Sequence, residues 1–546
     1  MNYLTALLLS VFITVSLIPV LTSLAGRLHI VDLPGPRKVH ALPVPRIGGA
    51  AMALGVFIPV ILLSKADQFV LAYLASAGIL VLFGVIDDIR GLDYRTKFAS
   101  QIVASLIVII YGGVRISSLG SLLPAEIHPA EWLIISLSLI AIVGVTNAIN
   151  LADGLDGLAG GISLLSFCCI GYLAFLQRNS EVALFSLALA GAIFGFLRFN
   201  THPASLFMGD SGSQLLGFST VVLAVKITQG DTPLSPLLPV IILGFPVLDT
   251  LTVMVERIKN GRSPFHPDRN HFHHRLMSLG LSHAEAVFTI YVIQAALIVS
   301  AIFFKYYNDW VILISYAIFS ALVIGTFTVA DRSGLHIKRY PVFDYAIKGR
   351  LRKMRDSNLV IKVAFRATSI LLPLSFLFSC CLPASVPGYV SAIAICFGLY
   401  LLAVRLFVKS HMAFCLRLVI YLTAPLILWL IHEGRASWVS QTIFTMYNLS
   451  FGVIAFFTLL TLRFTRRAKG FKITTMDFLV IFIAVLVPNL PEQFIQSYHL
   501  GFLAVEIIVM LFSYEVLLNE VRGQFNAVTA STLAALTLIG MRGISG

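Results

Sequence analysis

Five aspartates mark where this chain could do chemistry. Asp87 and Asp88 are adjacent, Asp153 and Asp156 are three residues apart, and Asp210 stands between Gly209 and Gly212 in FMGDSGSQLLGF. Each falls at the end of a long apolar run, where a carboxylate is costly unless it holds a metal or reacts. Adjacent carboxylates repel unless a cation is near, so one of Asp87 and Asp88 could accept a proton while the other positions a cation or a substrate. A plain polar helix end is the alternative for an isolated Asp-Asp pair. Asp210 is placed at a helix start, where free N–H groups suit phosphate oxygens. A carboxylate there suits Mg²⁺, which takes one or two carboxylates plus substrate phosphates; simple N-capping by Asp210 or Ser211 is the other reading. Together the five point to a site for a metal ion and a phosphorylated substrate.

Three further segments supply polar partners. In NAINLADGLDGLAGG, the residues Asn147, Asn150, Asp153 and Asp156 recur every third position. That spacing predicts four polar side chains stacked on one helical face. The segment DLPGPRKVHALPVPRIGG, from Asp32 to Gly49, holds four prolines and cannot be a regular helix. Its Arg37, Lys38, His40 and Arg46 either contact phosphates or only set topology. The third segment, HPDRNHFHHRL, carries Arg269, His271, His273, His274 and Arg275. Its spacing fits no standard zinc set, and histidines beside arginines better suit a nucleotide diphosphate or a phosphosugar. Lys97 begins a helix shortly after Asp87-Asp88 and is a further candidate substrate contact. Asp249, inside an apolar run, is either a functional intramembrane carboxylate or a packing group.

These residues need a scaffold, and composition dictates its class. The chain has 546 residues, 58% hydrophobic and 12% charged. Continuous apolar runs of roughly 20 residues recur along it, which requires membrane-spanning helices rather than alternating strands. The predicted fold is all-α and polytopic, with about eleven helices near 3–25, 48–64, 69–86, 98–114, 132–149, 158–176, 182–199, 213–229, 236–257, 286–304 and 310–330. Strict alternation puts the basic loops after the first helix, at 258–285 and at 331–362 on one side. By the positive-inside rule that side is the cytoplasm, and all five aspartates share it. The net charge of +13 is therefore read as topology and attraction to anionic lipid, with no nucleic acid partner. The six cysteines form no metal spacing and are read as small apolar residues.

The expected domains are a membrane core over 1–330, a basic cytoplasmic linker over 331–362, and an additional transmembrane domain over 363–546. The last has about six spans, near 363–383, 389–407, 414–431, 438–462, 476–490 and 500–519. A final stretch, 528–541, lies either in the membrane interface or on the bundle. No function is legible in this block.

Over residues 1–330 the order, spacing and sidedness of these motifs resemble the polyprenyl-phosphate N-acetylhexosamine-1-phosphate transferase superfamily (glycosyltransferase family 4). Phe272 interrupts the histidine run. That is similar to the branch that begins O-antigen, enterobacterial common antigen or teichoic acid, rather than to the phospho-N-acetylmuramoyl-pentapeptide transferases, whose loop carries three consecutive histidines.

The resemblance implies transfer of a sugar 1-phosphate from a UDP-sugar, UDP-GlcNAc above all, to undecaprenyl phosphate, with release of UMP. It implies a site on the cytoplasmic face of the bacterial inner membrane, open sideways to lipid. It makes Asp210 the Mg²⁺ ligand, with Mn²⁺ as the alternative ion, and Asp87 and Asp88 the catalytic pair. Lys38, His40, Lys97, Asn147, Asn150, Asp153, Asp156, Arg269, His271, His273, His274 and Arg275 become substrate contacts. The expected reaction is a single in-line displacement with Asp87 as base, against a two-step route through a phosphorylated aspartate. The expected partners are the two substrates and membrane lipid, with a homodimer left open. An ion-coupled transporter is the competing class, but it predicts polar groups at mid-membrane and symmetry-related repeats.

Overall fold

The computed structural model describes residues 2–27, 30–32, 43–124, 126, 129–263, 270–333, 359–407, 412–464, 479, 500–520 and 526–545. The chain divides into two compact units, Met1–Lys338 with Thr474–Leu479, and Arg339–Ile473 with Val480–Gly546. Residues 334–358, which hold most of the expected linker, lie outside the described residues.

The first unit begins with α1 (Asn2–Arg27), α2 (Gly48–Leu63), α3 (Gln68–Arg90) and α4 (Tyr94–Leu106), the last continuing as a π-helical turn over Ile107–Tyr111. Then come α5 (Glu131–Ala152), α6 (Leu158–Leu176), α7 (Ser180–Asn200) and α8 (Gly209–Thr228). The remainder is α9 (Leu238–Ile242), α10 (Gly244–Lys259), α11 (Phe272–Ser278), α12 (His283–Phe304) and α13 (Asp309–Arg332). Two-residue strands β1 (Val31–Asp32) and β2 (Val44–Pro45) pair antiparallel between α1 and α2.

Local sequence sets the helix starts. The carboxylate of Asp67 accepts the Val70 N–H at 2.9 Å to open α3, and Asn179 accepts the Val182 N–H at 3.0 Å to open α7. Ser282 and Glu285 form a capping box at α12.

Across the described residues, twelve helices are long and apolar enough to cross a membrane. The chain is thus an all-α integral membrane protein. Each of the eleven expected spans has a helix at its position, with one correction: the ninth is broken. Residues Leu238–Ile242 and Gly244–Lys259 are separate helices, and carbonyls flanking the break take donors from other helices. Gln294 Nε2 donates to Ile242 O at 2.8 Å, and the Tyr316 hydroxyl donates to Gly244 O at 2.8 Å. Membrane interiors tolerate such breaks only where protein groups satisfy the backbone in this way.

Helices α6, α7 and α8 form the buried centre of this unit. Their aromatic core includes Tyr73, Phe185 and Phe218, with the Tyr73 and Phe185 rings edge-on at 4.8 Å. Close approach depends on small residues, as is usual between membrane helices. A Cβ on Gly84 of α3 would run into the backbone of Ser211 at the start of α8. Gly84 thereby lets the two helices meet where Asp87, Asp88 and Asp210 converge.

The second unit consists, in its described residues, of α14 (Leu359–Ser379), α15 (Gly388–Phe407), α16 (Met412–Glu433), α17 (Gln441–Phe464), α18 (Leu500–Glu520) and α19 (Asn526–Ser545). Of the expected span at 476–490, only Leu479 is described. The final stretch is helical and packs on the bundle: Ser391 Oγ donates to Gly540 O at 2.5 Å, and Arg542 donates to the carbonyls of Cys380 and Pro383 at 2.7 and 2.6 Å. Buried charges here are mated. His432 Nε2 meets Glu506 at 2.9 Å, and Arg417 and the Tyr421 hydroxyl both donate to Glu515 at 2.9 Å.

The Gly84 contact makes a direct test. Gly84→Val forces α3 and α8 apart, at a cost of about 1–3 kcal/mol for overpacking. A lowered thermal midpoint in detergent should accompany loss of activity, whereas Gly78→Val, which meets open space in the same helix, should leave both nearly unchanged.

Candidate active site

The site is built on one carboxylate. Asp88, on the last turn of α3, accepts the Asp210 N–H on Oδ1 at 2.9 Å. On Oδ2 it accepts the Ser211 N–H at 3.3 Å and the Ser211 hydroxyl at 3.0 Å. It therefore caps α8 from another helix, filling the role that the sequence allotted to Asp210 or Ser211. Gly209 turns the chain at φ +68°, and a Cβ there would collide with the Asp88 carboxylate. The segment before α8 is pinned on its other side by Phe207, whose N–H donates to Pro45 O at 2.9 Å and whose carbonyl accepts from Gly48 at 3.0 Å.

With α8 so placed, Asp210 faces Asp87. The Lys97 ammonium lies between them, 2.6 Å from Asp87 Oδ2 and 2.7 Å from Asp210 Oδ2. Asp87 Oδ1 takes the Leu92 N–H at 2.5 Å, which holds the carboxylate toward the lysine. Two anionic oxygens thus converge on one cation. The donors there are carboxylates, a hard set that fits Mg²⁺ or Mn²⁺. The Lys97 side chain is 30% exposed, so the point is open to ligands.

The segment from Asn147 to Asp156 departs from its expected shape. Helix α5 ends at Ala152, Asp153 leaves helical geometry at φ −77°, ψ 46°, and Gly157 takes φ +82°. The four polar residues consequently do not form one stack. Asn147 exchanges amide hydrogen bonds with Gln101 of α4, at 2.7 and 3.4 Å. Asn150 accepts from the Ser213 hydroxyl of α8 at 3.0 Å. Both tie α5 to its neighbours beside the carboxylates.

Asp156 turns to the loop before α8, accepting from Ala204 N–H at 3.1 Å and meeting His202 Nδ1 at 2.7 Å. Asp153 stays in the acidic group. Burial and the charges of Asp210, Asp88 and Asp156 push its carboxyl up to about 7, with Arg46 opposing.

The histidine loop folds against that turn. Asp249 accepts the Phe272 N–H at 2.8 Å and bonds His271 Nδ1 at 2.9 Å, which fixes the start of α11. It therefore acts as the packing group of the two readings open to it. His273 is buried against Gly154 with its Nε2 unpartnered. Burial and the neighbouring His274 drive its pKa down to about 3, so its ring is neutral. A neutral imidazole with an unmet nitrogen is a specific hydrogen-bonding contact for a ligand. The Arg275 guanidinium is paired with Glu256 and donates to Asn270 O at 2.8 Å, clamping α10 to α11. Arg46 pairs with Asp32 at the base of the proline-rich segment. Lys38, His40 and Arg269 lie outside the described residues.

Several contributors carry no sequence signal of their own. Ser211, Ser213 and Gln101 are ordinary helix polars, and His202 and His283 are single histidines in separate segments. Asn200 is buried and bridges Gly157 N–H and Leu206 O at 2.9 and 2.8 Å. What could have marked Ser211, Ser213, Asn200, His202 and His283 is position, since they lie in or beside the first or last turns of helices; Gln101, inside α4, had no such mark.

The comparisons with known proteins agree with this geometry. Glycosyl transferase family 4 matches residues 70–228, the stretch that brings Asp87, Asp88, Lys97, Asp153, Asp156 and Asp210 together. A Bacillus subtilis (strain 168) protein named "Probable undecaprenyl-phosphate N-acetylglucosaminyl 1-phosphate transferase" is 34% identical over 340 residues, covering 62% of this chain and 94% of the relative. The decaprenyl-phosphate N-acetylglucosaminephosphotransferase of Mycobacterium leprae is 37% identical over 329 residues, covering 53% and 81%. The undecaprenyl-phosphate alpha-N-acetylglucosaminyl 1-phosphate transferase of Escherichia coli K12 is 30% identical over 346 residues, covering 61% and 91%. Fold and site define an integral-membrane transferase. The chain belongs to glycosyl transferase family 4.

Two outcomes follow from the geometry. Asp88→Ala should lower thermal stability by about 0.5–2 kcal/mol through loss of the α8 cap, and Asp88→Asn should recover only part of it, because its NH₂ replaces one of the two accepting oxygens and faces an N–H donor. Calorimetry of the two variants side by side would decide.

The second outcome concerns Asp153. Its carboxyl holds a proton in the folded chain up to about 7, while the unfolded chain releases it near 3.8. Stability should therefore fall as pH rises through that window. Without divalent cations, Asp153→Asn should be more stable than the parent at pH 8, with the gap closing toward pH 4. An unchanged gap across that range would refute the assignment.

Proposed function

We propose that this chain transfers N-acetylhexosamine 1-phosphate, from UDP-GlcNAc in the first instance, to undecaprenyl phosphate. UMP leaves, and the lipid-linked diphosphate sugar begins a cell-envelope glycan. The reading rests on the Asp87–Lys97–Asp210 arrangement, in which two carboxylates share one cation at the end of the bundle. It is supported by the activities for which the relatives are named. The site faces the cytoplasm, where nucleotide sugars are made, and the membrane is the bacterial inner membrane. Apolar side chains beside the carboxylates, Ile89, Phe98 and Leu151, are exposed and offer the lipid tail a lateral approach.

The chain's own part in the reaction is binding and charge control. An oxygen of the lipid phosphate attacks the phosphorus that bears the sugar. The bond from that phosphorus to the UMP oxygen breaks in line, and UMP takes the electron pair. A phosphate monoester has its second pKa near about 6 and is mostly dianionic at neutral pH. Any remaining proton passes to Asp87, whose Oδ2 is freed when Lys97 leaves it, while both Asp88 oxygens stay committed to the α8 cap.

Lys97, already between two anions, moves onto phosphate oxygens when substrate arrives. Asp210 would hold Mg²⁺, which when bound supplies charge neutralisation on the diphosphate. The neutral ring of His273 offers its free nitrogen to the nucleotide sugar.

The test is UMP release by membranes carrying the full chain, given undecaprenyl phosphate and a panel of UDP-sugars with and without Mg²⁺. Release with one donor, lost without the metal and lowered roughly a hundredfold or more in Asp210→Asn, is expected. No release with any donor from folded protein would overturn the reading.

A further inference from the structure

Among the described residues, and apart from the Asp87–Lys97–Asp210 group, one cluster has the composition of a metal site. Asp156 in the turn after α5, His202 in the loop before α8 and His283 at the first position of α12 each offer a ligand atom, and these atoms all lie within 4.8 Å of one another. The focus is Asp156 Oδ2. His202 Nδ1 is 2.7 Å from it and His283 Nε2 is 4.0 Å from it. The two imidazole rings stack with centroids 4.1 Å apart and planes 19° apart.

His283 is the telling member. It is only 8% exposed, and neither of its ring nitrogens has a hydrogen-bond partner. A buried imidazole left without partners on both edges is rare, and an absent ion is one of the standard explanations. A simple hydrogen-bond network would account for His202, which is already bonded to Asp156, but not for His283. His202 is 40% exposed on its side chain, so an ion could reach the group from solvent.

We propose that Asp156, His202 and His283 form a second cation site, distinct in chemistry from the all-carboxylate one and selective for a borderline transition ion of the zinc class. Two imidazoles and one carboxylate are a common zinc ligand set, with water completing a tetrahedron. Ligand atoms in such a tetrahedron stand about 3.4 Å apart for bonds of about 2.1 Å. The present spacings bracket that value, and because stacked rings direct their in-plane lone pairs along separate planes, the exposed His202 ring must turn out of the stack for both to bind one ion. Mg²⁺ is disfavoured here because it prefers oxygen ligands.

Bound there, the ion would staple three segments that are far apart in sequence: the turn that carries Asp153, the loop that leads to Asp210, and the start of α12. It would add coordinate bonds to all three where now only the first two are linked, by the hydrogen bonds of Asp156 to His202 and Ala204. This holds whether or not the chain is the transferase proposed above, because it rests on the ligand geometry alone.

The test is cobalt titration of the full-length chain, purified metal-free in detergent and followed by visible absorption. One equivalent of Co²⁺ should give the ligand-field bands of a four- or five-coordinate nitrogen–oxygen site. Zn²⁺ should remove them, and excess Mg²⁺ should not. His283→Gln and His202→Ala should each weaken Co²⁺ binding by more than about tenfold, the loss typical even of an outer-shell partner. Asp210→Asn should leave the bands in place. If His283→Gln does not fold, His202→Ala, an exposed position, decides. Absence of the bands, or bands that persist in the folded histidine variants, would overturn the site.

Discussion

The structure turns on the capping of α8 by Asp88. A helix that starts at a membrane surface beneath other helices has N–H groups that water reaches poorly, and something must accept from them. Here a carboxylate from α3 does so with both oxygens. The consequences propagate outward. The two helices can meet only because Gly84 leaves room for Ser211, and the chain can enter α8 only because Gly209 adopts a positive φ beside that carboxylate. Once they meet, Asp210 stands opposite Asp87, and Lys97 becomes the shared counter-charge. A pair of adjacent aspartates is thereby divided into a structural member and one that faces Lys97.

Charge explains the rest of the site. Asp88, Asp156 and Asp210 are close enough that burial and repulsion push the Asp153 carboxyl up to about 7, with Arg46 opposing, while Lys97 is the cation between Asp87 and Asp210. Two anionic substrates cannot be added to such a group without further positive charge. An oxygen-lined point that already attracts an ammonium is where a divalent cation does most to lower that cost. The same reasoning favours neutral histidines on the ligand side: the buried ring of His273 can hydrogen-bond without adding charge to compensate.

Much of this was legible in the sequence, and the failures are physical. Span positions follow from apolar length, which the membrane enforces residue by residue. The aspartates were legible because charge is so costly at the ends of those spans. The break between α9 and α10 was not, since Leu238–Lys259 reads as one apolar run and the groups that relieve it, Gln294 and Tyr316, lie on other helices. The expected stack from Asn147 to Asp156 failed because periodicity was carried past a helix end that Gly154 and Gly157 favour. His202 and His283 gave no signal at all. Their meaning arises only when the fold brings two loops and a turn together.

The same distribution of polar groups separates this unit from an ion-coupled transporter. Such proteins bind ions at mid-membrane with broken helices whose free carbonyls line a cavity. The first unit has a broken helix, yet its carbonyls are consumed: Ile242 O accepts from Gln294 and Ser166, and Gly244 O accepts from Tyr316. Within the buried helices, the hydroxyls of Thr220 and Thr228 bond to their own preceding turns. Asp249 sits inside α10, but it is spent on the start of α11. The groups of the candidate sites, Asp87, Asp210, Lys97, His273 and His283, gather at one end of the bundle. A site so placed suits a reaction between a soluble anion and a lipid headgroup, since both reacting phosphates stay at the surface while only the lipid tail enters the membrane.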